Sequence, residues 1–282
     1  MSHFTVMVIG PNYESQLAPY HEFESTGENN QYVQDVDITD EIKNLIQEYK
    51  DDENPLEAAL EDYGLENCIV DNESDIDREH KHKFGYAIVV DEQLIKAVNR
   101  TNPNKKWDWY QVGGRWSGML KLKSGSSRAD WARKGDIDWE GMRNIAANEA
   151  GQFWDKVQAV APNGWKSWED VRDQFANDID AARNAYHTQA GRQALQLSKD
   201  NELMWVDDDV LVSREEYVQN ARDSASMTFA VIKDSQWMER GSMGWWGISV
   251  GNMPASEWYS KMAAMIDELD DNTLITIVDC HI

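Results

Sequence analysis

Both ends of this 282-residue chain are short apolar runs, and no other feature limits the possible folds as strongly. His3-Phe4-Thr5-Val6-Met7-Val8-Ile9 is rich in β-branched side chains, shows no polar–apolar alternation and stops at Gly10-Pro11. Such a run reads as a strand buried on both faces. Leu274 to Ile282 reads the same way. A terminal strand strands its backbone donors and acceptors unless it finds neighbours, so the two ends are expected side by side in one sheet.

Four further strands are expected: Phe84 to Val90, the Tyr110 to Leu122 region, Thr228 to Lys233 and Trp245 to Val250. Helices follow from period and caps. Thr39 opens one with Ile42, Leu45, Ile46 and Tyr49 on a face, and Pro55 opens another that Gly64 closes. Ser167 starts a long helix whose face is Val171, Phe175, Ile179, Ala182 and Tyr186; Ser213 to Glu216 fits a capping box, and Pro254 to Leu269 forms the last helix. The acidic, polar segment 67–83 reads as an exposed loop. These elements predict an α+β fold with a mixed or antiparallel sheet, in a ferredoxin-like β-α-β-β-α-β order, containing both terminal strands. Residues 1–127 and 201–282 are expected to form the two parts of this core, and 128–200 a mostly helical insertion.

No window reaches the roughly 18 apolar residues of a membrane span, and the first residues lack a signal peptide's basic flank and cleavage site. A cytoplasmic protein without membrane contact is expected. Cys68 and Cys280 are too few for a disulfide framework and form no Cys-x-x-Cys pair. The formal charge is −24, concentrated in the first hundred and last eighty or so residues, which argues against non-specific binding to duplex nucleic acid. The acid either serves solubility or presents a negative surface to a basic protein groove.

Against that background, the stretch from Lys96 to Arg128 reverses the sign. It carries Lys96, Arg100, Lys105, Lys106, Arg115, Lys121, Lys123 and Arg128 against one acid, Asp108. Trp107, Trp109, Tyr110 and Trp116 are threaded around Gly113-Gly114-Arg115, and a second aromatic–glycine cluster holds Trp245 and Trp246. The spacing fits neither a P-loop nor a dinucleotide fingerprint. Lys105, Lys106, Trp107, Trp109, Arg115, Trp116, Trp245 and Trp246 are therefore the candidate ligand-binding residues, with cations for an anionic small molecule and rings for stacking. The competing account makes the tryptophans core anchors, the glycines a bulge and Arg115 an internal ion-pair partner.

Asp279 and His281 lie two apart on a strand and share a face, with His3 on the other terminal strand within reach. His3, Asp279 and His281 are the candidate catalytic groups. His80, His82 and His281 are the candidate metal ligands, although no metal-binding helix motif accompanies them, and the sequence leaves the cofactor unknown.

The residues Ser2-His3-Phe4-Thr5-Val6 with Val8-Ile9-Gly10, Gln16 to Tyr20, Asn102 to Trp116, Met243 to Gly247 and Val278-Asp279-Cys280-His281-Ile282 resemble a group of uncharacterised bacteriophage proteins. That group shares the MSHFTVxVIG start, a WDWYxxGGRW segment and the VDCHI ending; Met7 stands where leucine is expected. The resemblance implies a viral origin, work in the host cytoplasm and no particular mechanism. Two readings follow. In the first, the chain is a phage accessory protein that acts by binding, as an acidic inhibitor of a host or anti-phage defence protein with a basic surface. In the second, it is an enzyme or sensor for a nucleotide-like small molecule, with or without a metal. Whether it is an enzyme is left open by the sequence.

Overall fold

In the computed structural model, residues 2–125, 127–175, 178–244 and 248–282 are described. The fold is α+β, and the chain forms two compact units. The first comprises residues 1–115, 230–251 and 276–282, and the second 116–229 and 252–275.

In the first unit the terminal strands His3–Ile9 and Leu274–His281 are neighbours in a sheet of order 236–239, 230–233, 3–9, 274–281, 109–112. Ser2 N–H donates to Ile282 O at 3.2 Å and Ile282 N–H to Ser2 O at 3.1 Å, the reciprocal pattern of an antiparallel pair. On its other side strand His3–Ile9 runs parallel to Ala230–Lys233, in register Val6 with Ala230. Phe4 through Ile9 are all buried, as are Ile275 through Cys280. Complete burial of each such aliphatic side chain contributes about 1.5–3 kcal/mol, which fixes this central pair.

The sheet is mixed, but its order is not β-α-β-β-α-β. The partner of Ala230–Lys233 at the edge is the strand that follows it, Gln236–Glu239, because Asp234 and Ser235 (φ 53° and 61°) close a two-residue hairpin there. On the far side, Trp109–Val112 pairs antiparallel with Val278–His281. Of the expected strand 110–122, only its first part joins this sheet. Gly113 (φ 72°) and Gly114 (φ 51°) turn the chain into a short 3-10 turn, Gly114–Trp116.

A second sheet of order Gln34–Asp37, Gln93–Thr101, Gly85–Val90, Ile69–Val70 carries helices Thr39–Glu48 and Pro55–Glu61. Ile38, Ile42, Leu60, Leu65, Ala87 and Ala97 form its core. Within the segment expected as an exposed loop, Ile69–Val70 is a strand and His82 is buried.

The second unit is largely helical, with Trp139–Val160 its longest helix. The expected helix from Ser167 to Tyr186 is two helices, Trp168–Arg172 and Ile179–His187. Each has its own N-cap. Ser167 accepts from Asp170 N–H, and Asp178 accepts from Ala181 N–H, so the second cap interrupts an otherwise continuous apolar face. Val157, Leu195, Leu203, Val206 and Val210 make a core there. Among the described residues, no helix is long and apolar enough to cross a membrane.

Candidate functional site

The antiparallel pairing of the two chain ends places His3 beside His281, with ring centroids 5.0 Å apart and nearly perpendicular. His3 Nδ1 lies 2.8 Å from Asp279 Oδ1, and His281 Nδ1 lies 2.7 Å from Asp108 Oδ1. When both carboxylates are ionised and both imidazoles neutral, each ring donates through Nδ1–H and keeps a lone pair on Nε2. Two Asp–His pairs thus stand side by side, assembled from strands His3–Ile9 and Leu274–His281 and from Asp108 at the entry to strand Trp109–Val112.

Asp279 is sealed, with 2% of its side chain exposed, and its second oxygen accepts from Arg115 N–H at 2.9 Å. That bond explains the second glycine of the pair, Gly114. At Gly114 a Cβ would sit 2.4 Å from Asp279 Oδ2, and the backbone is left-handed, so only glycine brings the 3-10 turn this close to the carboxylate. Asp279 is therefore held from two sides, and it orients His3. The two free Nε2 atoms differ. His281 Nε2 is buried without a hydrogen-bond partner, at a cost of about 1–3 kcal/mol. His3 Nε2 also has no partner among the described residues but is not sealed off in this way, so its lone pair meets solvent.

The indole of Trp109, half exposed, presents its edge or face to both imidazoles at 6.3 and 6.5 Å. Trp107 is different: it is buried, and its Nε1–H donates to Leu17 O at 3.2 Å. Trp107 is a core anchor.

Most of the cations are already engaged. Lys96 pairs with Glu73, Arg100 with Asp35, Lys106 with Glu239 at 2.7 Å and Lys121 with Asp138. Lys105 lies 2.8 Å from Glu24 and 3.0 Å from Glu22; burial pulls its pKa down, but the bonds to these two carboxylates hold it above the ordinary lysine value. Lys123 and Arg128 donate to the carbonyls of Gly135 and Gly118. Arg115 is exposed, and among the described residues no carboxylate pairs with its guanidinium. Trp116 belongs to the second unit, and Trp245 and Trp246 lie outside the described residues.

His80, His82 and His281 are not brought together. His80 is exposed beside Asp77, whereas His82 is buried with Nδ1 accepting from Asp77 N–H at 2.9 Å. Among the described residues, no group of three His, Cys, Asp or Glu side chains is arranged to hold a metal ion. Asp108 is the member of the site that sequence reasoning left without a role. Its signal was its isolation as the single acid in a cationic stretch. No family model, no curated protein and no solved structure matches the chain.

Proposed function

We propose that the chain binds an anionic, ring-bearing small molecule of nucleotide-like chemistry and that His3 acts on it as a general base or acid. The observation that carries this reading is the His3–Asp279 pair: a solvent-reaching imidazole Nε2 whose opposite nitrogen is fixed by a buried carboxylate, itself fixed by Arg115 N–H. Orientation of a histidine by a carboxylate is what proton transfer needs, because it sets the tautomer and supports the imidazolium that forms. Trp109 offers a stacking face beside it, and Arg115 is the one cation of the 96–115 segment that no carboxylate neutralises among the described residues.

Titration of the purified chain with nucleoside mono-, di- and triphosphates, followed by isothermal calorimetry and by product analysis, tests this reading. Saturable binding should weaken at least tenfold in Trp109→Ala and Arg115→Ala. His3→Gln should retain binding and lose turnover. Binding of no member of the series, or equal binding by all variants, would overturn the proposal. The other reading, an acidic phage inhibitor of a host or defence protein, draws on the formal charge of −24. A complex with a basic protein that is salt-sensitive and indifferent to His3→Gln and Trp109→Ala would favour it.

A further inference from the structure

The second unit holds a cleft of about 600 Å³, bounded by helices Trp139–Val160, Arg214–Ser224 and Ala255–Asp267 and by the segment 205–212. Its volume lies within the range of small-molecule sites. Two features of its wall act in the same direction. Asp207, Asp209 and Glu216 line it, no lysine, arginine or histidine does, and none of the three carboxylates forms an ion pair among the described residues. Aromatic rings make up much of the rest. Phe153 and Tyr217 stack at 6.5 Å with an interplanar angle of 26°, Tyr259 adds a further ring, and Trp205 leaves 81% of its surface exposed.

An aromatic face is the negative end of its quadrupole, so the rings attract a cation independently of the carboxylates. The exposed Trp205 ring offers a further face to an alkylammonium at the acidic cleft. The Tyr217 phenol registers the same field: its pKa is raised first by burial and then by the charges of Asp209 and Asp207. A bare metal ion does not suit the site, since no three ligating side chains are suitably grouped among the described residues and the walls are half apolar. A chain of methylenes carrying several ammonium groups matches both walls, with charges against carboxylates and methylenes against rings.

We propose that this cleft between the helices of the second unit is a binding site for an aliphatic polyamine. The inference stands apart from the histidine site and does not depend on it.

Calorimetric titration of the full-length chain with spermidine tests it, with magnesium chloride present to suppress diffuse attraction to the acidic surface. One saturable site per chain is expected. The isosteric variant Asp207→Asn/Asp209→Asn/Glu216→Gln should bind at least tenfold more weakly, and Trp205→Ala several-fold more weakly. A charge-matched control, Asp51→Asn/Asp52→Asn/Glu53→Gln, removes three exposed carboxylates of the first unit and should bind as the parent does. Circular dichroism of each variant separates loss of the site from loss of the fold. Absence of saturable binding by the parent, equal weakening in both triple variants, or undiminished binding by a folded cleft variant would overturn the proposal.

Discussion

Asp208 shows how one side chain can organise a helical unit. Its carboxylate accepts from Tyr186 OH at 2.6 Å, from Trp165 Nε1–H at 2.7 Å and from Trp168 N–H at 2.5 Å. Arg192 lies between the Trp165 and Tyr186 rings, 5.2 and 4.9 Å from their centroids, and donates to Val206 O. Burial pushes the Asp208 carboxyl up, but these three hydrogen bonds outweigh it, and its pKa falls below the usual 3.8. Tyr186 moves the other way, to about 12, through burial and then its bond to Asp208. A group with a depressed folded pKa stabilises the fold above its unfolded pKa, and that contribution disappears as pH falls through the folded value. Asp208→Asn should therefore cost about 1.5–3 kcal/mol in urea unfolding at pH 7. The gap between parent and variant should narrow below about pH 4 and stay constant above about pH 5. In the sequence this residue is the middle of three consecutive aspartates and reads as a charged turn. Nothing local distinguishes it, because its three donors come from positions 165 to 186.

At the level of elements, two tight hairpins join neighbouring strands without the glycine that usually marks such turns. Asp91 and Glu92 (φ 49° and 62°) connect Gly85–Val90 to Gln93–Thr101, and Asp234 and Ser235 do the same for Ala230–Lys233 and Gln236–Glu239. Two central residues with positive φ define a type I′ turn, for which Asn-Gly is preferred. Glu92→Gly should therefore stabilise the chain by about 0.5–1 kcal/mol in chemical denaturation, since it removes left-handed strain at an exposed position. A loss of stability would mean that the Glu92 side chain has a role in the folded state. The same turns explain where sequence reading stopped short. The terminal strands were legible because apolar runs of that length have few alternatives, and Thr39–Glu48 was legible from the spacing of Ile42, Leu45 and Ile46. The strands Gln93–Thr101 and Gln236–Glu239 were not, because each follows a turn of ordinary residues and presents a polar face. His3, Asp279 and His281 could be grouped in advance from the terminal pairing. Asp108 could not, since its place depends on strand Trp109–Val112 joining Val278–His281.

For the whole molecule, the chain leaves and re-enters each unit, with boundaries at 115/116, 229/230, 251/252 and 275/276. Neither unit is a continuous segment. Residues 116–229 expressed alone lack helix Ala255–Asp267, whose Trp258 is 1% exposed and donates to Thr228 O at 2.9 Å. Such a fragment should lack a cooperative thermal transition by circular dichroism, and a sharp one would show that the helix is dispensable. The reciprocal bonds between Ser2 and Ile282 carry a practical corollary for work on the histidine pair. An affinity tag fused at either end would begin within two residues of His3 or His281, so ligand screening calls for a cleavable tag, or for one inserted at the exposed Asp51-Asp52-Glu53 loop.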